Sequence, residues 1–342
     1  MIERHKRLIA LAASPVLALG LVACGSDSNT SSDDANTLVL YSGRDGELVD
    51  PLVKKFEEKT GISVQVRQGD TPELAAQIIE EGENTPAQVF LAQDAGAVGA
   101  VAQAGLFSTL PSNITDRVDS KYTSQDGSWV GVTGRARVTA YDTQKVKEAN
   151  VPGDVYKLTE PEWKGKVGIV PSNASFQAFV TAMRVTDGAD KTQQWLDGLK
   201  ANDAKIYNKN GELLEAVNAG AVELGLINHY YWARSEQDPK TLRAQIKFGD
   251  PGTISAFVNV TGAGILKNAA NSSAANQFVE YLVSDEGQEY FVQETHEYPL
   301  VPGLPQPAGV PSLNELNPPD INLSDLASLE ESQKQITQAG LL

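Results

Sequence analysis

The chain has 342 residues, with 28 Lys and Arg against 44 Asp and Glu and a formal charge of −16. So acidic a composition argues against a nucleic-acid partner. A single cysteine, Cys24, excludes an intramolecular disulfide, a Cys-x-x-Cys pair and a thiolate zinc centre, and the length predicts two lobes rather than one core.

In chain order, Arg4, Lys6 and Arg7 precede an apolar stretch over 8–22 that is broken by Ser14 and Pro15 and is short for a bilayer span. It reads as an export signal, residues 1–23. Its end, Leu21-Val22-Ala23-Cys24, resembles the lipobox of bacterial lipoproteins, which implies lipidation of Cys24 and anchorage to the outer face of the cell membrane. Cleavage there leaves a formal charge of −18. A run rich in Ser, Asp and Asn makes 24–36 a flexible tether. No second stretch that could span a bilayer follows, so the lipid is the expected membrane contact.

From Thr37 strands and helices alternate. Thr37-Leu38-Val39-Leu40-Tyr41 is a short buried strand. A helix over about 47–60 carries Leu48, Leu52, Val53 and Phe56 on one face and stops at Gly61. A strand at 62–66, a helix at 72–81 and a strand at 87–91 complete a β-α-β-α-β start. The alternation resumes with a strand at 167–170, a helix at 175–186, a strand at 205–207, a helix at 212–219 and the apolar run Val222-Glu223-Leu224-Gly225-Leu226-Ile227. Segments 136–141 and 254–260 look extended and lie where the chain passes between lobes, so two crossings are expected to form a hinge. Residues 262–266 begin a return, followed by helices over 274–283 and 286–293 and a Pro-rich, weakly helical tail. The expected division is 37–136 plus 261–342 for the N-terminal lobe and 137–260 for the C-terminal lobe. No internal repeat is evident.

Tyr230 and Tyr231 follow the last strand of the second lobe, where a helix begins at Trp232. In an open α/β sheet, ligands collect beyond the carboxyl ends of the strands. Two phenol oxygens there suit a hard trivalent cation such as Fe(3+), which would also help to ionise them. Aromatic pairs near a helix start also serve simply as packing, so both readings stand at this point.

The phrases Tyr41-Ser42-Gly43, Phe56-Glu57-Glu58-Lys59-Thr60-Gly61-Ile62, Thr85-Pro86-Ala87-Gln88-Val89-Phe90, Gly134-Arg135-Ala136-Arg137-Val138, Trp163-Lys164-Gly165-Lys166-Val167, Asn228-His229-Tyr230-Tyr231-Trp232 and Glu297-Tyr298-Pro299-Leu300 occur in one order. Together they resemble the ferric-iron-binding proteins of bacterial ABC importers, over about residues 38–302. The resemblance implies an α/β Venus-flytrap receptor of two lobes with hinge crossover strands. It would be a monomer that delivers a ferric ion or chelate to an ABC permease and its ATPase subunit. It also assigns the metal to Tyr230 and Tyr231. Some members have a histidine where this chain has Asp45 and a glutamate where it has Gln93; others add a tyrosine near Ala140 and Tyr141. The remaining shell is therefore not inherited directly.

Two phenolates leave Fe(3+) with one positive charge and open positions. Asp45 is a candidate third protein ligand. An exogenous carbonate, phosphate or citrate is expected to complete the shell, as in the family. Candidate anion donors are Asn173 and Ser175 at a helix start, Asn210 and Asn228 before the next two helices, and the forked guanidiniums of Arg44 and Arg135. Arg135 and Arg137 are expected to leave their strand on opposite faces, Arg135 toward the cleft. His229 adjoins the tyrosines, but neighbours in one turn cannot all face one ion. No His-Glu-x-x-His, Gly-x-Ser-x-Gly, P-loop or dinucleotide fingerprint is present. The chain is thus expected not to be an enzyme. The rival reading is a receptor of the same fold for thiamine, a polyamine, a phosphonate or an oxyanion; an unrecognised secreted hydrolase is the remote one.

Overall fold

The computed structural model describes residues 36–342; the signal segment, Cys24 and nearly all of the tether lie outside the described residues. Ten strands and twelve α-helices follow in order: β1 (Thr37–Ser42), α1 (Gly46–Thr60), β2 (Ser63–Gln68), α2 (Thr71–Glu81), β3 (Val89–Ala92), α3 (Ala95–Gln103), α4 (Ser112–Thr115) and β4 (Val130–Asp142). Then come β5 (Val167–Ile169), α5 (Ala174–Asp187), α6 (Ala189–Ala201), β6 (Lys205–Ile206), α7 (Asn210–Asn218), β7 (Leu224–Asn228), α8 (His229–Ala233), β8 (Ala244–Phe248) and β9 (Val258–Ile265). The chain ends with α9 (Ser273–Leu282), α10 (Asp285–Tyr290), β10 (Tyr298–Pro299), α11 (Leu313–Leu316) and α12 (Leu329–Gln338). Among the described residues no helix is long and apolar enough to cross a membrane.

Local sequence explains the principal stops. The apolar stripe of α1 is buried at Leu48, Leu52, Val53 and Phe56, and Gly61 ends the helix in the left-handed region at φ 72°, donating its N–H to the Glu57 carbonyl. The buried strands β3 and β7 are continuous apolar runs, as a sheet covered on both faces requires.

Two sheet halves meet on one strand. In the first, β2, β1 and β3 run parallel and β9 lies antiparallel between β3 and β4. In the second, β7, β5 and β6 are parallel, and β4 lies antiparallel between β7 and β8. The change of partner falls within two residues: Ala136 is opposite Val258 of β9, and Arg137 is opposite Asn228 of β7. The return crossing passes the same point, where the Arg137 N–H donates to the Phe257 carbonyl at 3.0 Å.

The tail departs from expectation. Residues 323–327 form a 3-10 turn on α3, but α12 packs on α5 and α6 of the second half rather than staying with the first. The reason is apolar cover: Ile336 and Leu341 are buried there, and Thr181 donates to the Ser332 hydroxyl at 2.8 Å. The chain therefore crosses three times, not twice.

Candidate functional site

The tyrosine pair stands where a fully buried strand gives way to a helix of five residues. Each residue of the turn has a separate destination. Trp232 is buried in the second half and donates its indole N–H to the Ala244 carbonyl at 3.1 Å. His229 is fully buried; its Nδ1 accepts from the Ala136 N–H at 3.2 Å, and its Nε2 donates to the His296 carbonyl at 2.9 Å. Its ring lies 4.6 Å from that of Tyr298. Both nitrogens are thus engaged at the crossing point, and His229 is a hinge residue rather than a metal ligand. Burial holds its pKa down to about 4, so it is neutral at pH 7.

Tyr230 and Tyr231 are left to face the cleft. Their rings stack at 4.4 Å between centroids, Tyr230 buried and Tyr231 half-buried. They line a cavity of about 610 Å³ together with Arg44, Asp45, Gln93 and Asn173. Burial drives the Tyr230 phenol pKa well upward, and Tyr231 adds to the rise while Arg44 and Arg135 oppose it.

The positive charges beneath the phenols are organised by Glu297, which sequence reasoning did not single out. Its carboxylate is fully buried, 2.8 Å from Arg44 Nη2 and 3.9 Å from Arg135 Nε, and it accepts from the Thr133 and Thr295 hydroxyls at 3.1 and 3.2 Å. Burial works against the Arg44 charge, but Glu297 and the two tyrosines outweigh it and the pKa rises. The Arg135 pKa is lowered by burial and by Arg44, against the pull of Glu297 and Tyr230.

The expectation of opposite faces for Arg135 and Arg137 fails, because residues two apart on a strand share a face. Both are buried near the phenols. The lobe boundary separates them instead. Arg135 donates to Ser175 Oγ at 3.0 Å, whereas Arg137 donates to Asn228 Oδ1 at 3.3 Å and to the Leu226 carbonyl at 2.9 Å. Burial pushes Arg137 down to about 9, with Tyr231 and Tyr230 resisting, which leaves it charged at pH 7.

The other candidates divide. Asp45 lines the cleft but is exposed, and its Oδ1 caps α1 by accepting from the Glu47 N–H. Asn173 caps α5 by accepting from the Ser175 N–H at 3.0 Å. Ser175 Oγ also accepts from Gln93 Nε2 at 3.0 Å, which joins the two lobes. Next to Gln93, the buried Asp94 carboxylate caps α3 and does not line the cleft, so it supplies no further acidic ligand there. Asn210 and Asn228 cap nothing. Both are buried; neither side-chain polar atom of Asn210 has a protein partner, and Asn228 Nδ2 has none. Buried amide groups of that kind call for a polar partner, water or ligand, and both lie behind the cleft lining rather than in it.

Two α/β lobes on a shared strand, with a polar cleft at their junction, define a two-lobed binding protein that holds a small solute between its halves. The chain belongs to the bacterial extracellular solute-binding proteins, whose family profile matches residues 84–322. It is 32% identical to an Fe(3+)-binding periplasmic protein of Serratia marcescens over 338 residues, 97% of this chain and 96% of that one. Iron-bound HitA of Pseudomonas aeruginosa superposes with a TM-score of 0.84 at 33% identity, covering 89% of this chain and 99% of that chain. The Trichodesmium protein FutA, in complex with iron and citrate ligands, superposes at 0.75 and 29% identity, covering 89% and 99%. The family binds solutes and is not a family of enzymes.

Proposed function

We propose that this protein captures ferric iron in its cleft, with Tyr230 and Tyr231 as phenolate donors and an exogenous anion completing the shell, and delivers it to an ABC permease driven by its ATPase subunit. The stacked tyrosine pair opening on the cleft carries the reading. The Serratia relative is named for Fe(3+) binding, and HitA of Pseudomonas aeruginosa is known in an iron-bound structure. Among the described residues no group of three or more His, Cys, Asp and Glu could hold a metal instead.

The charge balance supports the anion. Iron with two phenolates carries one positive charge, which the Asp45 carboxylate cancels when it ligates; Arg135 and Arg137 add two more, while Arg44 is matched by Glu297. A carbonate, phosphate or citrate offsets that excess. The donors that open on the cleft are the backbone N–H groups of Ser172 and Ala174 at the start of α5; the unpartnered amides of Asn210 and Asn228 and the Arg135 guanidinium lie buried behind that lining and support the anion from there. Arg44 contributes mainly through its charge, and Asp45 is the accessory protein ligand.

In this reading 37–136 with 261–322 form one lobe and 137–260 the other, the tail lies across both, and the protein works as a monomer. Cys24 carries the lipid that keeps it at the outer face of the membrane. Lobe closure follows from ligands drawn from both sides. The buried guanidiniums of Arg44, Arg135 and Arg137 around the phenols disfavour cationic cargo such as thiamine or a polyamine, whereas a receptor for an oxyanion alone is compatible with the same groups.

Purified protein should turn coloured with ferric citrate through a tyrosinate-to-iron band in the visible region. Tyr230→Phe and Tyr231→Phe should each weaken it, and the double variant should abolish it. A colourless parent that binds phosphate without iron would transfer the cleft to the oxyanion reading.

A further inference from the structure

The C-terminal tail reaches both lobes through a short link. On the first lobe, residues 323–327 lie in a groove floored by glycines of α3: a Cβ on Gly96 would sit 2.6 Å from the Leu326 carbonyl oxygen, and one on Gly99 would sit 3.2 Å from the Ala327 Cβ. Leu323 and Leu326 are buried against that surface. Only Ser328 separates this turn from α12, which is bound to the second lobe by a hydrogen bond from Gln335 to the Ala189 carbonyl at 2.9 Å and, just past its end, by one from Lys200 to the Gly340 carbonyl at 2.7 Å.

One residue of α12, Gln333, also lines the cleft. Its Nε2 donates to Gln177 Oε1 at 2.9 Å. That bond holds the Gln177 oxygen toward α12 and its NH2 toward the turn, where it donates to the carbonyls of Pro171 and Ser172 at 3.3 and 3.4 Å. Those carbonyls belong to the turn whose N–H groups were assigned to the anion above. Holding the Pro171 carbonyl fixes the direction of the Ser172 N–H, because the two share one planar peptide unit, and the Ser172 carbonyl shares its plane with the Asn173 N–H, which donates to the Val170 carbonyl at 3.1 Å.

We propose that the tail is a wall of the binding site and that Gln333 is a positioning residue, acting through Gln177 to orient the Pro171–Ser175 turn toward the anion that accompanies the cargo. This rests on the ferric reading above. It also makes the tail's seat on α3 part of the same device, since displacement of the turn at 323–327 from Gly96 pulls on α12 two residues later.

The test uses Q333L, which removes the donor, and Q333R, which keeps one. Gln333 is half-buried on the surface of α12, so both should fold. Iron retention is followed by the visible band under a chelator challenge, with inorganic phosphate or bicarbonate titrated in. Q333L should require roughly three- to tenfold more anion for half-protection, the range expected for one lost hydrogen bond, while the position of the band stays that of the parent. Q333R should restore the parent value, and G96A should reproduce the Q333L defect from outside the cleft. Parent-like anion dependence in Q333L, or an equal defect in Q333R, overturns the inference while leaving the iron reading intact. A colourless parent would instead overturn the reading on which it rests.

Discussion

Glu297→Gln separates the electrostatics of this site from its shape. The substitution keeps the side-chain volume and an acceptor for Arg44, but it removes the only negative partner within 4 Å of either Arg44 or Arg135 among the described residues. Both guanidiniums are almost fully buried, and breaking a buried pair from one side costs about 3–5 kcal/mol. With an unfolding entropy of about 2.1 cal/mol/K per residue over roughly 300 residues, that corresponds to a melting point lower by about 5–8 °C. The effect on cargo has the opposite sign. Glu297 is one of the groups that raise the Tyr230 phenol pKa, and Arg44 and Arg135 lower it, so removing the carboxylate eases ionisation of the ligand. The cargo-free variant should melt earlier in calorimetry, and in chelator competition it should hold iron to a lower pH than the parent. A melting point within 2 °C of the parent would refute the account of Glu297 as the counter-charge of the arginine cluster. A loss of acid retention in a folded variant would refute the electrostatic link to Tyr230.

Three further outcomes follow from the same geometry. Tyr230 is protonated at pH 7 before capture, so its ligation releases a proton; affinity should rise at least tenfold per pH unit in chelator competition, and a flat profile would remove Tyr230 from the shell. His229→Phe should destabilise the protein by about 1–3 kcal/mol at pH 7, because the Ala136 N–H loses its acceptor, yet leave the visible band in place. The His229 pKa is about 4 folded and about 6.5 unfolded, so its stabilisation is complete above pH 6.5 and declines as pH falls through 4, by about 3 kcal/mol in all; urea midpoints of parent and variant should converge over that window. Gln93→Glu should replace the amide that donates to Ser175 Oγ with an anionic oxygen across the cleft to which the Ser175 hydroxyl can turn and donate, raising iron affinity and reducing the need for added anion. Unchanged anion dependence would place residue 93 outside the coordination sphere.

The alternation of strands and helices was legible because buried strands are continuous apolar runs and the helices of the first lobe are amphipathic, as α1 is at Leu48, Leu52, Val53 and Phe56. Helix α3 escaped notice: Ala95–Gln103 is built from Ala, Gly and Val with little polar contrast. Strand β8 is only partly buried and gave no clear period. The tyrosines could be placed because a strand end and a helix start are both local signals. Glu297 could not, since its partner Arg44 is 253 positions away and only the closed sheet brings them together. Gln333 was hidden for the same reason, in a tail whose sequence looks peripheral until Ile336 finds its cover on the second lobe. Arg135 and Arg137 were misjudged on face, which alternation alone would have settled.

The position of β9 also constrains how this molecule can be made. It lies between β3 and β4, yet it is read from the gene after every strand of the second half. The sheet of the first lobe is therefore left open through its centre until residues 258–265 have emerged, whereas the second lobe has all its strands by residue 248. Domains tend to fold as units as their sequence becomes available, so the order of maturation should run against the order of the chain, with the lobe that bears the tyrosines forming first. The amino-terminal lobe, which comes first from the ribosome, is the last to acquire a stable sheet. Its sheet therefore stays incomplete for most of the time that synthesis takes.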